Sequence, residues 1–292
     1  MRFDFTAIES FTAYREGRIS ARHLLEHPAY RAVRRHAGRY GRSFDAADID
    51  AAAAGRPSPF YGLDHLPEHL HRVLGLVAVI RNQEQAWREG AEKALLRLFP
   101  EADLDVTVYP IVGYDMGIGL SGVACLNCNY DGYLNDPREF LFYAVHECVH
   151  VIYERLHAVP ALRQVATAAD WLAYFCLWLQ NEGYAVYAPL GMRREAGALD
   201  ERDYRVLVDK PQMDRLRRDA LAALTELSSG RMLARERYLD LCFGASRITY
   251  RAGCDLVRLI EKTEGIAAVR RAFRLDGRNY VSAYGRLLAA GC

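Results

Sequence analysis

The chain has 292 residues, 51% of them apolar, and its 38 basic and 37 acidic side chains leave a net charge of +1. That near-balance excludes a general electrostatic binder of nucleic acid, which carries a marked basic excess. No window approaches the ~20 apolar residues of a membrane span and the amino terminus lacks an apolar signal core, so the expectation is a cytoplasmic protein with neither nucleic-acid nor membrane partners.

In chain order, helices are expected at 5 to 16, 19 to 40 and 66 to 98. The stretch from Phe44 to Gly62, with its alanines leading into Gly55-Arg56-Pro57-Ser58-Pro59, reads as an exposed linker. His65, His69 and His71 cluster around Leu66-Pro67-Glu68, where an i, i+4 pair could hold a metal, but Pro67 marks a loop or helix start and they read as surface or capping groups. Strands are confined to about 104 to 131. Asp105 to Val112 alternates and is rich in β-formers, with Pro110 suggesting an edge or a bulge.

Gly117-Ile118-Gly119-Leu120-Ser121-Gly122 spells a dinucleotide-binding fingerprint, but that motif must open a helix and the next residues, Val123 to Tyr130, read as strand. The nucleotide reading is therefore rejected. Gly122 to Leu126 is instead expected as a sheet edge, with Gly122, Val123 and Ala124 able to pair with an extended substrate, although a plain hairpin turn explains the glycines equally well. Cys125 and Cys128 form a lone Cys-x-x-Cys without the second pair of a zinc ribbon. The total of seven cysteines is odd, and most sit in apolar helical patterns as small hydrophobes. They imply a reducing compartment.

Asp136 and Pro137 mark the start of a helix reaching about residue 158. At 100° per residue Phe142, Val145, Val149, Ile152 and Leu156 make one apolar stripe. Tyr143, His146, His150, Tyr153 and His157 make an adjacent polar-aromatic one. His146-Glu147-Cys148-Val149-His150 within it places two histidines on one face, where they can share a metal ion, with a glutamate beside them to act on a bound water. A catalytic zinc needs a third protein ligand. A downstream histidine at 156 with glycine at 153 would supply one, but Leu156 and Tyr153 stand there. Glu154 and His157 lie roughly 6 Å or more further along the axis and read as outer or surface groups.

The better donor lies in the apolar helical run from Asp170 to Tyr187, with Asp170 as its N-cap. Glu182 is its one carboxylate past the cap, costly among such neighbours unless ion-paired or metal-bound. Trp178-Leu179-Gln180-Asn181-Glu182-Gly183-Tyr184-Ala185-Val186-Tyr187 resembles the second signature of the gluzincin metallopeptidases, in which an Asn-Glu pair on a later helix comes after the His-Glu-x-x-His helix. The resemblance implies one zinc per chain on His146, His150 and Glu182, with Glu147 as general base. The 31 residues between His150 and Glu182 are more than in the thermolysin and aminopeptidase branches. Leu24 to Tyr30 and Tyr250-Arg251-Ala252-Gly253 are also similar to uncharacterised bacterial families described as zinc-dependent peptidases.

A donor to the developing oxyanion is then needed. Tyr250, which opens a helical pattern through Leu256, Leu259 and Ile260, is the first candidate. Tyr184, Tyr187 and Tyr284 compete with it. Further helices are expected at 166 to 187, 211 to 228, 230 to 241, 246 to 263 and 265 to 273. These elements make a mostly helical α+β fold, zincin-like, with a small sheet above the metal-binding helix. Residues 1 to 100 are read as an N-terminal helical region and 101 to 292 as the catalytic one, with one continuous domain as the alternative. The expected function is zinc-dependent hydrolysis of a peptide bond. The alternatives are an amide hydrolase or biosynthetic enzyme acting on a small molecule, and a non-catalytic helical interaction protein. No glycine-acidic motif for a free amino terminus occurs between Gly113 and Tyr130, so no exopeptidase preference is inferred.

Overall fold

The structure, a computed structural model, describes residues 1–56, 66–231 and 234–290. It is mostly helical with one small sheet and divides into two compact units, residues 1–93 with 102–152 and residues 94–101 with 153–292. The strands after residue 102 belong to the first unit because they hydrogen-bond to the first residues of the chain.

The first unit runs β1 (Arg2–Phe3), α1 (Thr6–Arg15), α2 (Ala21–Leu24), α3 (Pro28–Arg39), α4 (Ala46–Ala53), α5 (Leu66–Leu98, continuing into the second unit), β2 (Thr107–Ile111), β3 (Gly117–Leu120), β4 (Val123–Asn127), α6 (Asp131–Asn135) and α7 (Arg138–Leu156, likewise continuing). Strand order is β1-β2-β4-β3, with β3 alone antiparallel to its neighbour. Strand β1 lies outside the expected strand region, because two residues carry too little pattern to read. Pro110 is accommodated because β1 pairs only with Thr107 and Val108. The backbone of residue 110 points the same way as the Val106 and Val108 carbonyls that β1 uses, past the point where β1 ends.

The single helix expected at 19 to 40 is two. His27, extended at ψ 139°, cannot be helical before Pro28, and its Nδ1 accepts the Ala29 amide as the N-cap of α3. The expected linker also carries a helix. Asp45 and Asp48 form a reciprocal capping box that starts α4, and Phe44, Ile49 and Ala52 are buried. Residues 57–65, including His65, lie outside the described residues; His69 is hydrogen-bonded to Asn129.

The second unit continues with α8 (Ala168–Tyr187), α9 (Leu190–Glu195), α10 (Arg202–Leu207), α11 (Lys210–Ser228), α12 (Arg235–Phe243), α13 (Ile248–Glu264), α14 (Ile266–Phe273), α15 (Gly277–Tyr284) and α16 (Arg286–Ala290). Its centre is the pair α8 and α13, with α11, α12 and α15 against α8. The pair packs closely because Gly183 meets Gly253: a Cβ on Gly183 would lie 2.5 Å from the Gly253 carbonyl carbon. The Gln180 amide ties α8 to the turn after α14, donating to the carbonyls of Ala272 and Leu275 at 2.9 Å each and accepting from the Tyr153 hydroxyl at 2.8 Å. Among the described residues no helix is long and apolar enough to cross a membrane.

Candidate metal centre

Helix α7 begins where the sequence places it, with the Asp136 carboxylate accepting the Arg138 amide at 3.0 Å. Phe140, Phe142, Val145, Cys148 and Val149 bury its apolar side, and the Phe140 ring meets Phe3, Trp87 and Tyr133. One turn apart on the adjacent side, His146 and His150 bring their Nε2 atoms to 3.1 Å. Two nitrogens bound to one tetrahedral zinc at 2.0–2.1 Å are separated by about 3.3 Å, so the imidazoles already stand at the right spacing. Glu182 completes the group: one ligand atom from each of His146, His150 and Glu182 falls within 4.8 Å of the others. His146 and Glu182 are buried and His150 is partly exposed. Two imidazoles and a carboxylate make a nitrogen and oxygen donor set without thiolate, and these residues could hold a metal ion.

Glu147 is buried beneath β3. A Cβ on Gly117 would lie 2.7 Å from its Oε1, and one on Gly119 would lie 2.1 Å from its carbonyl oxygen and 3.0 Å from the His150 Cβ. Two alternate glycines therefore give β3 a bare face against the His-Glu-x-x-His turn, while Ile118 and Leu120 are buried on the other face, the side-chain alternation of a strand. The fingerprint-like glycines serve this close approach, and the rejection of a nucleotide loop agrees with the strand found there. The last of them, Gly122 (φ 84°), with Ser121 (φ 52°), makes the two-residue turn joining β3 to β4, where Leu120 pairs with Val123. Tyr133 and Cys125 also feel the Glu147 carboxylate. Burial first, and that charge among others, raises both above their ordinary pKa.

This sheet order corrects the expected substrate edge. Val123 and Ala124 lie on β4, which is paired with β2 on one side and β3 on the other, so its backbone is already engaged. Gly122 lies in the turn. Among the described residues, the free edge beside α7 belongs to β3, residues Gly117–Leu120.

Helix α8 is capped by Thr167, whose Oγ1 accepts the Asp170 amide; Asp170 is the third residue of the capping box rather than the N-cap. Glu182 sits where α8 is most enclosed, next to the Gly183 crossing. Tyr250 lies on the first turn of α13, one turn before Gly253, with the Arg247 guanidinium carbon 3.5 Å from its ring centroid. Among the competing tyrosines, Tyr184 donates to the Val269 carbonyl at 2.6 Å and Tyr187 to Glu261. The Tyr284 ring lies tilted beside Tyr280. His157 bonds the Phe273 carbonyl at 2.8 Å and packs on Tyr153 and Phe273, an anchoring role that its sequence position did not reveal.

Cys125 and Cys128 are each buried, and all six cysteines among the described residues are free thiols. Sequence reasoning also missed Asp203 and Arg247, which lie 44 residues apart and form a bidentate pair. No short motif signals a partnership of that kind. Comparison with family models, with curated proteins and with solved structures finds no match.

Proposed function

We propose that this protein is a zinc-dependent hydrolase of amide bonds, most simply a metallopeptidase, with the metal held by His146, His150 and Glu182. The observation that carries the reading is the convergence of those three donors around a helix turn that also holds a buried glutamate, Glu147. Zinc in such a site supplies Lewis-acid polarisation of the scissile carbonyl and a water of near-neutral pKa.

The chain's own groups do the rest. Glu147 accepts a proton from the attacking water and returns it to the leaving amine, a role suited to a buried carboxylate that lies beneath β3 on the same helix turn as the two histidines. The free edge of β3, running along α7, offers main-chain donors and acceptors to an extended peptide, and its glycines leave the chain slim at that point. Tyr250 is the oxyanion donor in this reading. A small sheet lying on the metal-binding helix is also the feature on which a zincin-like fold rests, and the free cysteines among the described residues fit a reducing compartment.

The test is elemental analysis of protein purified without added metal, alongside His146→Ala and Glu182→Ala. About one zinc per chain, lost in both variants, is expected. A wild type that neither carries nor takes up metal would sink the hydrolase reading and leave a helical interaction protein.

A further inference from the structure

Side chains from two helices of the second unit converge on one short segment, residues Val269 to Leu275, which ends α14 and turns toward α15. From α8, the Gln180 amide donates to the carbonyls of Ala272 and Leu275 at 2.9 Å each, and the Tyr184 hydroxyl donates to that of Val269 at 2.6 Å. From the end of α7, His157 Nε2 donates to the Phe273 carbonyl at 2.8 Å. Tyr153 reaches the same segment through Gln180, whose Oε1 accepts its hydroxyl at 2.8 Å. The buried Phe273 ring fills the space between, with centroids 5.5 Å from Tyr153, 6.1 Å from His157 and 4.8 Å from Tyr184.

Gln180 is fully buried, where an amide costs free energy unless its polar atoms are paired, and here both the oxygen and the nitrogen are. An apolar side chain would fill the space at less cost. What the amide adds is direction, because hydrogen bonds fix the rotation and height of a helix in a way that apolar contacts do not. The placement gives that direction a use. Gln180 and Tyr184 stand one turn apart on α8 and bracket Glu182. Tyr153 follows His150 by three residues on α7, about 4.5 Å along the axis. The two helices that carry the donors are therefore held to a common third body within about a turn of those donors.

We infer that Gln180 is a positioning residue for the metal centre, and that segment 269–275 is the base against which it sets α8 and the end of α7. This rests on the reading of His146, His150 and Glu182 as metal ligands, whose donor atoms fall within 4.8 Å of one another. Magnitudes favour a directional tie. Helices packed by apolar contact shift past one another by about 1–2 Å, whereas a site of this kind must be held to about 0.5 Å. Gln180 and Tyr153 hold no metal and move no proton in this scheme. They act through the helices that present His150 and Glu182.

The experiment measures the zinc affinity of the full chain by competition with a chromophoric chelator, for wild type, Gln180→Met, Tyr153→Phe and Tyr204→Phe, with urea unfolding of each. Tyr204 serves as reference: its buried hydroxyl donates to the Val186 carbonyl at 2.9 Å, so Tyr204→Phe removes one hydrogen bond from the same unit without touching segment 269–275. The zinc dissociation constant is expected to rise about tenfold or more in Gln180→Met and about threefold or more in Tyr153→Phe, while Tyr204→Phe loses stability but stays within about twofold of wild type. If Gln180→Met does not fold, Tyr153→Phe, which keeps the ring and its packing, decides alone. Wild type that binds zinc, with Tyr153→Phe no weaker than Tyr204→Phe, would overturn the positioning role and leave the metal centre standing. Wild type that takes up no zinc would overturn the metal centre and the positioning role with it.

Discussion

Gly117 and Gly119 sit two residues apart on one strand face, yet the atoms above them differ in what they can yield. An added methyl at Gly117 meets the end of the Glu147 side chain, which can turn away, whereas at Gly119 it meets the Glu147 backbone carbonyl, which cannot. Gly117→Ala is therefore expected to fold with a melting temperature close to that of wild type, while displacing the carboxylate that the proposed mechanism needs. Gly119→Ala is expected to lose about 1–3 kcal/mol or more in urea unfolding, the usual cost of overpacking a rigid contact. Equal melting temperatures for the two would refute the distinction. Glu147→Gln belongs beside them: zinc content should stay at wild-type level while hydrolysis falls by about 10²–10⁴, the range for loss of a general base. Retained turnover in that variant would remove Glu147 from the mechanism.

At the level of single elements, α3 depends on a histidine cap that titrates. Burial lowers the His27 pKa below 6.5, the nearby Asp4 opposing this only in part, and the neutral ring uses Nδ1 to accept the Ala29 amide. The unfolded chain therefore binds a proton more readily than the folded one. Stability is complete above the unfolded value and declines as pH falls through 6.5 toward the folded pKa. Urea midpoints should drop as the pH is taken from mildly alkaline to mildly acidic, and His27→Asn, which supplies a cap without a titrating group, should flatten that profile. The contact between α8 and α13 is the other element-level device. Gly253→Ala would drive a methyl to 2.3 Å from the Leu179 carbonyl and prise the helices apart next to Glu182. It should lower stability by at least ~2 kcal/mol and weaken zinc retention together. Weakened retention without loss of stability would contradict a role for this crossing in placing Glu182.

Across the full chain, the donor set predicts a linkage between metal and folding. Zinc at about a hundred times its dissociation constant should raise stability by about 2.7 kcal/mol over the chelated protein, a difference absent from His146→Ala. Thermal melts with and without chelator check it, and coincident wild-type curves would mean that no ion binds at those residues.

Local devices were legible in the amino-acid order: the cap and period of α7, the i, i+4 histidines, the long α5, the strand character of 107–127, and Glu182 as the one carboxylate of α8 past its first turn. Each is set by residues within a turn or two of one another, so spacing and residue type are enough to reveal it. The two-residue β1, the capped α4, the break at His27-Pro28 and the short helices after residue 187 carried too little periodic pattern, or had it masked by alanine and proline.

The identity of the edge strand was settled only in three dimensions, because an edge is defined by the absence of a neighbour, and β4 looks the same in sequence whether β3 covers it or not. The close fit of the β3 glycines onto α7, and the grip of an aspartate 44 residues away on Arg247, were settled in the same way. Those outcomes depend on contacts between distant segments, and pairing at a distance leaves no period in the chain.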